Sequence, residues 1–190
     1  ATGTVALLSN TTGSYNIANG AYALSANTTG NYNTALGNET LYSNTTGYDN
    51  TAAGYQALQS NTTGVSNVAV GFKALRLNTT THNNTAVGHL SLQNNIAGSS
   101  SAFGTSTLQS NTTGASNNAF GYGALSGTTT GSNNAAFGLY ALQANITGSN
   151  NSAFGHQALS SNTSGFTTAI GYLSLNANTA GVANTATGYR

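Results

Sequence analysis

Of the 190 residues only Glu39, Asp49, Lys73, Arg76 and Arg190 carry a full charge at neutral pH, and Asn, Thr, Ser, Gly and Ala dominate the rest. A chain so weakly charged has no electrostatic hold on nucleic acid or on an anionic membrane surface. Cysteine is absent, which leaves the redox compartment unread, and no apolar run approaches the roughly 20 residues of a membrane span.

One unit, N-T-A-x-G-x-x-A-L-x-x-N-T-T-G-x-x, repeats along the whole chain. Its first glycine falls at Gly3, Gly20, Gly37 and onward to Gly188, in steps of seventeen with two steps of sixteen. Ala stands two residues before each of these glycines and Leu four after the first eleven, from Leu7 to Leu175. Disordered polar chains lack apolar residues at fixed offsets. Such self-similarity instead calls for near-identical coils, each too small to fold alone, stacked into a solenoid. Residues 1–190 read as a single array that opens and stops inside repeats, and we expect a section of a longer fibre.

Taken in chain order, each unit starts with N-T-A-x-G, apolar at its centre and closed by Gly, which predicts a short strand. The following x-x-A-L-x-x predicts a second strand; a helix would suit Ala and Leu, but the segment is too short and N-T-T-G cuts it off. N-T-T-G and the two residues after it make the turns. The expectation is all-β: a parallel β-solenoid, of the β-roll or β-helix kind, with about eleven seventeen-residue coils. At about 4.8 Å per coil it forms a rod of roughly 50 Å. The sixteen-residue coils lack one residue between Gly98 and Ala102 and between Gly165 and Ala169, which places that corner on the outside.

Strand neighbours point to opposite faces, so the Ala row and the row after it cannot both face inward. The second row is apolar through the middle, at Val70, Val87, Phe103, Phe120, Phe137, Phe154 and Ile170. One of the two rows therefore forms an exposed apolar stripe, unless a flattened coil covers both. We expect it to be an oligomer interface, with self-association of the chain into a homo-oligomer or filament.

Titratable residues are too sparse to build a catalytic centre. Glu39 and Asp49 lie ten positions apart around one coil, and His89 and His156 share a repeat position about 19 Å apart along the rod. The expectation is a non-enzymatic protein with no cofactor and no metal. Repeated Asn has two readings. Asn10, Asn27, Asn44, Asn61, Asn78, Asn111, Asn145 and Asn162 are N-glycosylation acceptors in a secreted chain, with Asn38, Asn83 and Asn150 adding three more. The same eight can instead form a hydrogen-bonded Asn ladder; Asn95 and Asn178 keep the row without the acceptor motif, and Thr128 interrupts it. The paired Thr ranks suggest ice binding, against ordinary turn chemistry. The aromatics after the first glycine row suggest stacking or a sugar-binding surface.

Segments such as Ser66-Asn67-Val68-Ala69-Val70-Gly71 and Asn84-Thr85-Ala86-Val87-Gly88 resemble the head repeats of trimeric autotransporter adhesins. The run from Asn50 to Gly64 is similar to N-T-A-x-G arrays of tail-fibre-type proteins, and this resemblance covers the whole chain. It implies parallel β-rolls, a homotrimer, and an extracellular location on a cell surface or a virion fibre. The expected function is structural, an extracellular rod that spaces or displays, with covalent glycans as a possible coat. The alternatives are an adhesin or glycan-binding module, and an ice-binding protein.

Overall fold

The computed structural model describes residues 1–190 as one parallel β-solenoid without a helix. Its sheet has eleven three-residue strands, among them β1 (Ile17–Asn19), β2 (Thr34–Leu36), β6 (Ser101–Phe103), β7 (Asn118–Phe120), β8 (Ala135–Phe137), β9 (Ser152–Phe154), β10 (Thr168–Ile170) and β11 (Thr185–Thr187). Strand order follows chain order, so every strand pairs only with its neighbours in sequence. Register is strict: Ala18 pairs with Ala35, and Phe103, Phe120, Phe137 and Phe154 pair in succession.

The second predicted strand is absent. From Gly54 onward the chain turns tightly, with Gln56 at φ 56° and Leu58 at φ 51°, and every coil repeats this left-handed pair. Left-handed residues interrupt both a strand and a right-handed helix, so the segment is neither. Its backbone nevertheless bonds to the adjacent coils. Gln56 N–H donates to Asn38 O, Leu58 N–H to Ala74 O and Ser60 N–H to Arg76 O, while Ala57 N–H closes a turn on Gly54 O. Of 122 backbone hydrogen bonds only 20 lie within strands, so the ladder between coils runs around nearly the whole circumference. This bonding offsets a left-handed backbone that costs about 1 kcal/mol or more per residue.

Inside, the core is narrow. The strand Ala row and the Leu row are fully buried from Ala35 to Ala169 and from Leu24 to Leu159, and a second small row runs through Ala57, Ala74, Ala124 and Ala141. Ala faces in, so the apolar row after it faces out, and the flattened coil with both rows covered is not what forms. Both glycine rows are fixed by coil spacing. Gly54 sits at φ +128°, and a β-carbon there would lie 2.5 Å from the Gly71 carbonyl oxygen; at Gly47 it would lie 2.5 Å from that of Gly64.

The sixteen-residue coils lose their residue at a different corner from the one expected. Ser99 N–H donates to His82 O and Phe166 N–H to Ser149 O, so Gly98 and Gly165 occupy the position after the usual turn glycine. Asn95 Nδ2 then reaches Ala97 O, and Asn162 Nδ2 reaches Ser164 O, two residues on rather than three. Ile96 N–H meets Thr112 O, which aligns Ile96 with the first Thr of N-T-T-G. What is missing is therefore the second Thr, a solvent-exposed residue in the other coils.

Candidate functional site

Three features of the rod carry its chemistry: two Asn rows inside, Thr ranks at the corner, and aromatic ladders outside. The first Asn row is a ladder of amides. Asn27 Nδ2 donates to Asn10 Oδ1 (2.8 Å) and to Gly30 O (3.0 Å), and Asn44, Asn61 and Asn78 repeat both bonds. Asn27, Asn44, Asn61, Asn78, Asn111, Asn145 and Asn162 are completely buried, and Asn10 is half-buried at the first coil. Nδ2, the atom that a glycan would occupy, points into the coil at each of these positions. Asn38, Asn83 and Asn150 are exposed.

The Asn of N-T-A forms a second inward row, which the repeat pattern alone does not identify as a ladder. Asn33, Asn50, Asn67, Asn84, Asn117, Asn134 and Asn151 are buried. Asn50 Oδ1 accepts from the backbone N–H of Asn67 (3.0 Å) and from its Nδ2 (3.1 Å), while Asn50 Nδ2 donates to Gly64 O (2.8 Å). Gly64 O also takes Asn61 Nδ2, so the two rows converge on one turn carbonyl. The signal was a polar residue with the same fixed offset as the Ala two positions later.

Three irregularities interrupt the first row. Thr128 turns its hydroxyl to Asn145 O (2.7 Å) and leaves Asn111 Oδ1 buried without a partner. At the two short coils Asn95 and Asn162 do not reach back to the preceding rung. Asn145 Oδ1 is orphaned in consequence, but Asn78 Oδ1 is not, because it accepts from the Thr81 hydroxyl and, at 3.4 Å, from Asn84 Nδ2. In the full-length coils Thr81 is the one residue that replaces the second glycine, and it stands in the coil before the first short one; in the short coils Ala97 and Ser164 take that position.

At the corner, the first Thr of each N-T-T-G is tied down. Thr28, Thr45 and Thr62 each donate a hydroxyl to the carbonyl of the next coil at 3.1 Å. One Thr rank remains exposed, including Thr29, Thr46 and Thr63.

Outside, Phe103, Phe120, Phe137 and Phe154 stack face to face at 4.7 to 4.9 Å with interplanar angles of 4° to 9°. Phe154 is 41 % exposed, the other three are half-buried against one another, and Val70, Val87 and Ile170 extend the same row. One glycine further along the chain a second row stacks as Tyr55, Phe72 and His89, and again as His156, Tyr172 and Tyr189. Stacked rings cover each other's faces and present edges outward. His156 Nδ1 is buried there without a partner.

The remaining titratable groups are scattered. Glu39 Oε2 accepts from Gln56 and Gln59 Nε2 at 2.7 Å, and His82 Nδ1 accepts from Val65 N–H at 3.0 Å. No three His, Asp or Glu side chains lie close enough together to hold a metal ion. Tyr140 has its phenol pushed above the ordinary value of 10.0, first by desolvation and then by the hydrogen bond and charge of Tyr122, whose ring meets it edge-on at 5.3 Å. No helix is long and apolar enough to cross a membrane. Comparison with protein-family models, curated proteins and solved structures finds no match.

Proposed function

We propose that the chain is a non-enzymatic structural rod that associates side by side with further copies of itself, as part of an extracellular fibre. The observation that carries this reading is the outward Phe ladder of β6 to β9. Four large rings line one face, flanked by aliphatic residues of the same row and free of charged side chains. A stripe of that kind, repeating with the same spacing on every copy, is self-complementary along the rod axis. The narrow Ala and Leu core supports the same conclusion, because surface buried between copies adds to what little a single coil buries alone. Three copies is the number that the adhesin-like resemblance suggests.

Native mass spectrometry of the 190-residue chain tests this directly. The expected result is a defined oligomer that falls to single chains when Phe120 and Phe137 are both replaced by Asp. A wild-type chain that stays single sinks the proposal. An oligomer untouched by the double substitution places the contact on another face.

A further inference from the structure

Among the exposed aromatics, stacked tyrosines differ from the Phe ladder in chemistry, and the most parallel pair lies in the first coils. Tyr15 and Tyr32 occupy the corner before the Asn of N-T-A, one coil apart, both at left-handed φ (60° and 55°). Their rings stack at 5.0 Å with an interplanar angle of 4°, and they are 76 % and 58 % exposed. Neither hydroxyl makes a hydrogen bond within the chain. Two phenols are thus held cofacial and open to solvent, on a corner away from the Phe ladder.

We propose that Tyr15 and Tyr32 form an oxidative cross-linking site, giving an intrachain dityrosine that staples adjacent coils. The co-reactant is a peroxide acting through a haem peroxidase. Each phenol loses one electron and its hydroxyl proton to give a phenoxyl radical. The radicals join through one ring carbon beside each oxygen, forming a carbon–carbon bond. The hydrogens on the joined carbons then move to the two oxygens, which restores both phenols. The net change is loss of two hydrogen atoms from the chain, and peroxide takes up the two electrons and two protons to become two water molecules. The coil stack supplies the proximity: a partner ring held in place reacts in preference to a freely diffusing one, because the entropy of bringing the rings together has already been lost in folding. Tyr172 and Tyr189 stack in a comparable way, at 5.2 Å with an interplanar angle of 10°, on the row after the first glycine; the other tyrosine neighbours lack this arrangement. Tyr22 and Tyr42 meet edge-on at 6.3 Å, and Tyr122 meets Tyr140 at 89°.

This site does not depend on association between copies, so it stands or falls separately from the proposed rod interface. The test is to treat the full chain with peroxidase and hydrogen peroxide at low protein concentration, denature it, and measure intact mass and map peptides. The expected product is a single chain lighter by two hydrogen atoms for each link, with the peptides of Tyr15 and Tyr32 joined and dityrosine fluorescence present. Tyr32→Phe keeps the stacked ring but removes the phenol, and the intrachain link at Tyr15 is then lost, while any link between Tyr172 and Tyr189 remains. A wild-type chain in which the Tyr15 and Tyr32 peptides are not joined to each other, a product that joins only separate chains, or one that spreads evenly over Tyr22, Tyr42, Tyr48 and Tyr55 overturns the proposal. So does a chain that keeps its mass while free tyrosine in the same tube is oxidised.

Discussion

Thr128→Asn is expected to stabilise the rod. At this rung Asn111 Oδ1 is buried with no donor, and Asn145 Nδ2 bonds only to Gly148 O. The Thr128 backbone N–H bonds to Leu125 O at 3.1 Å, as Asn61 N–H does to Leu58 O, so the backbone already has the conformation of a regular rung. An amide at 128 would donate to Asn111 Oδ1 and to Gly131 O and accept from Asn145 Nδ2. The substitution gives up one bond, from the Thr128 hydroxyl to Asn145 O. A net hydrogen bond contributes about 0.5–1.5 kcal/mol and an orphaned buried acceptor costs about 1–3 kcal/mol, so the gain is about 1–2 kcal/mol. A repeat array need not unfold in one step, so amide hydrogen exchange around Asn111, Thr128 and Asn145 is the suitable assay. Protection should rise by about 5- to 30-fold there and little elsewhere. Unchanged or faster exchange at these amides would falsify the account of the ladder as a stabilising element.

Asn61→Asp places a carboxylate against Asn44 Oδ1 and Gly64 O, both acceptors, and should cost at least about 2 kcal/mol at neutral pH. Burial favours the neutral acid, so the loss is expected to shrink as pH falls, which denaturant titrations at two pH values will reveal. Gly54→Ala forces a methyl against the Gly71 carbonyl at a φ of +128° and should cost about 1–3 kcal/mol in melting experiments. Secreted from a glycosylating host, folded chain should carry sugar only at Asn38, Asn83 and Asn150. Glycopeptides containing Asn44 or Asn61 from folded material would contradict the inward amides. Tyr140 should ionise above the ordinary tyrosine value of 10.0 in an alkaline spectrophotometric titration, and a Tyr140→Phe difference spectrum assigns the transition. Its raised value means that the neutral phenol is favoured in the fold, so its contribution is complete below pH 10.0 and fades as pH rises through the folded value.

Much of this architecture is legible in the sequence because the physics acts identically in every coil. Fixed offsets of Ala35, Leu41 and Gly37 identify the inward rows and the tight contact between coils, and the seventeen-residue step fixes parallel stacking. The second segment is not legible. Ala57-Leu58 is ordinary in strands and helices, and only the packing of the next coil makes a left-handed Leu58 tolerable. The corner that absorbs a deletion is equally hidden: Gly98 keeps its letter but moves one place along the coil, which shows only in the partners of Ser99 and Asn95. Of the outward Phe row, the sequence could say that either it or the Ala row is exposed, but not which. The volume available inside decides, since a coil filled by Leu58 and two small residues has no room for a ring.

The pairing of Thr81 with the shortened coil that follows bears on how such arrays change length and can be recombined. A coil one residue short strands the carbonyl oxygen of the rung before it, and the Thr81 hydroxyl rescues Asn78 where Gly148 leaves Asn145 bare. Coils are thus not equal bricks. A shuffled library that moves the coil of Asn95 without that of Thr81 will carry a hidden fault at the join, whereas the two moved as one cassette will not.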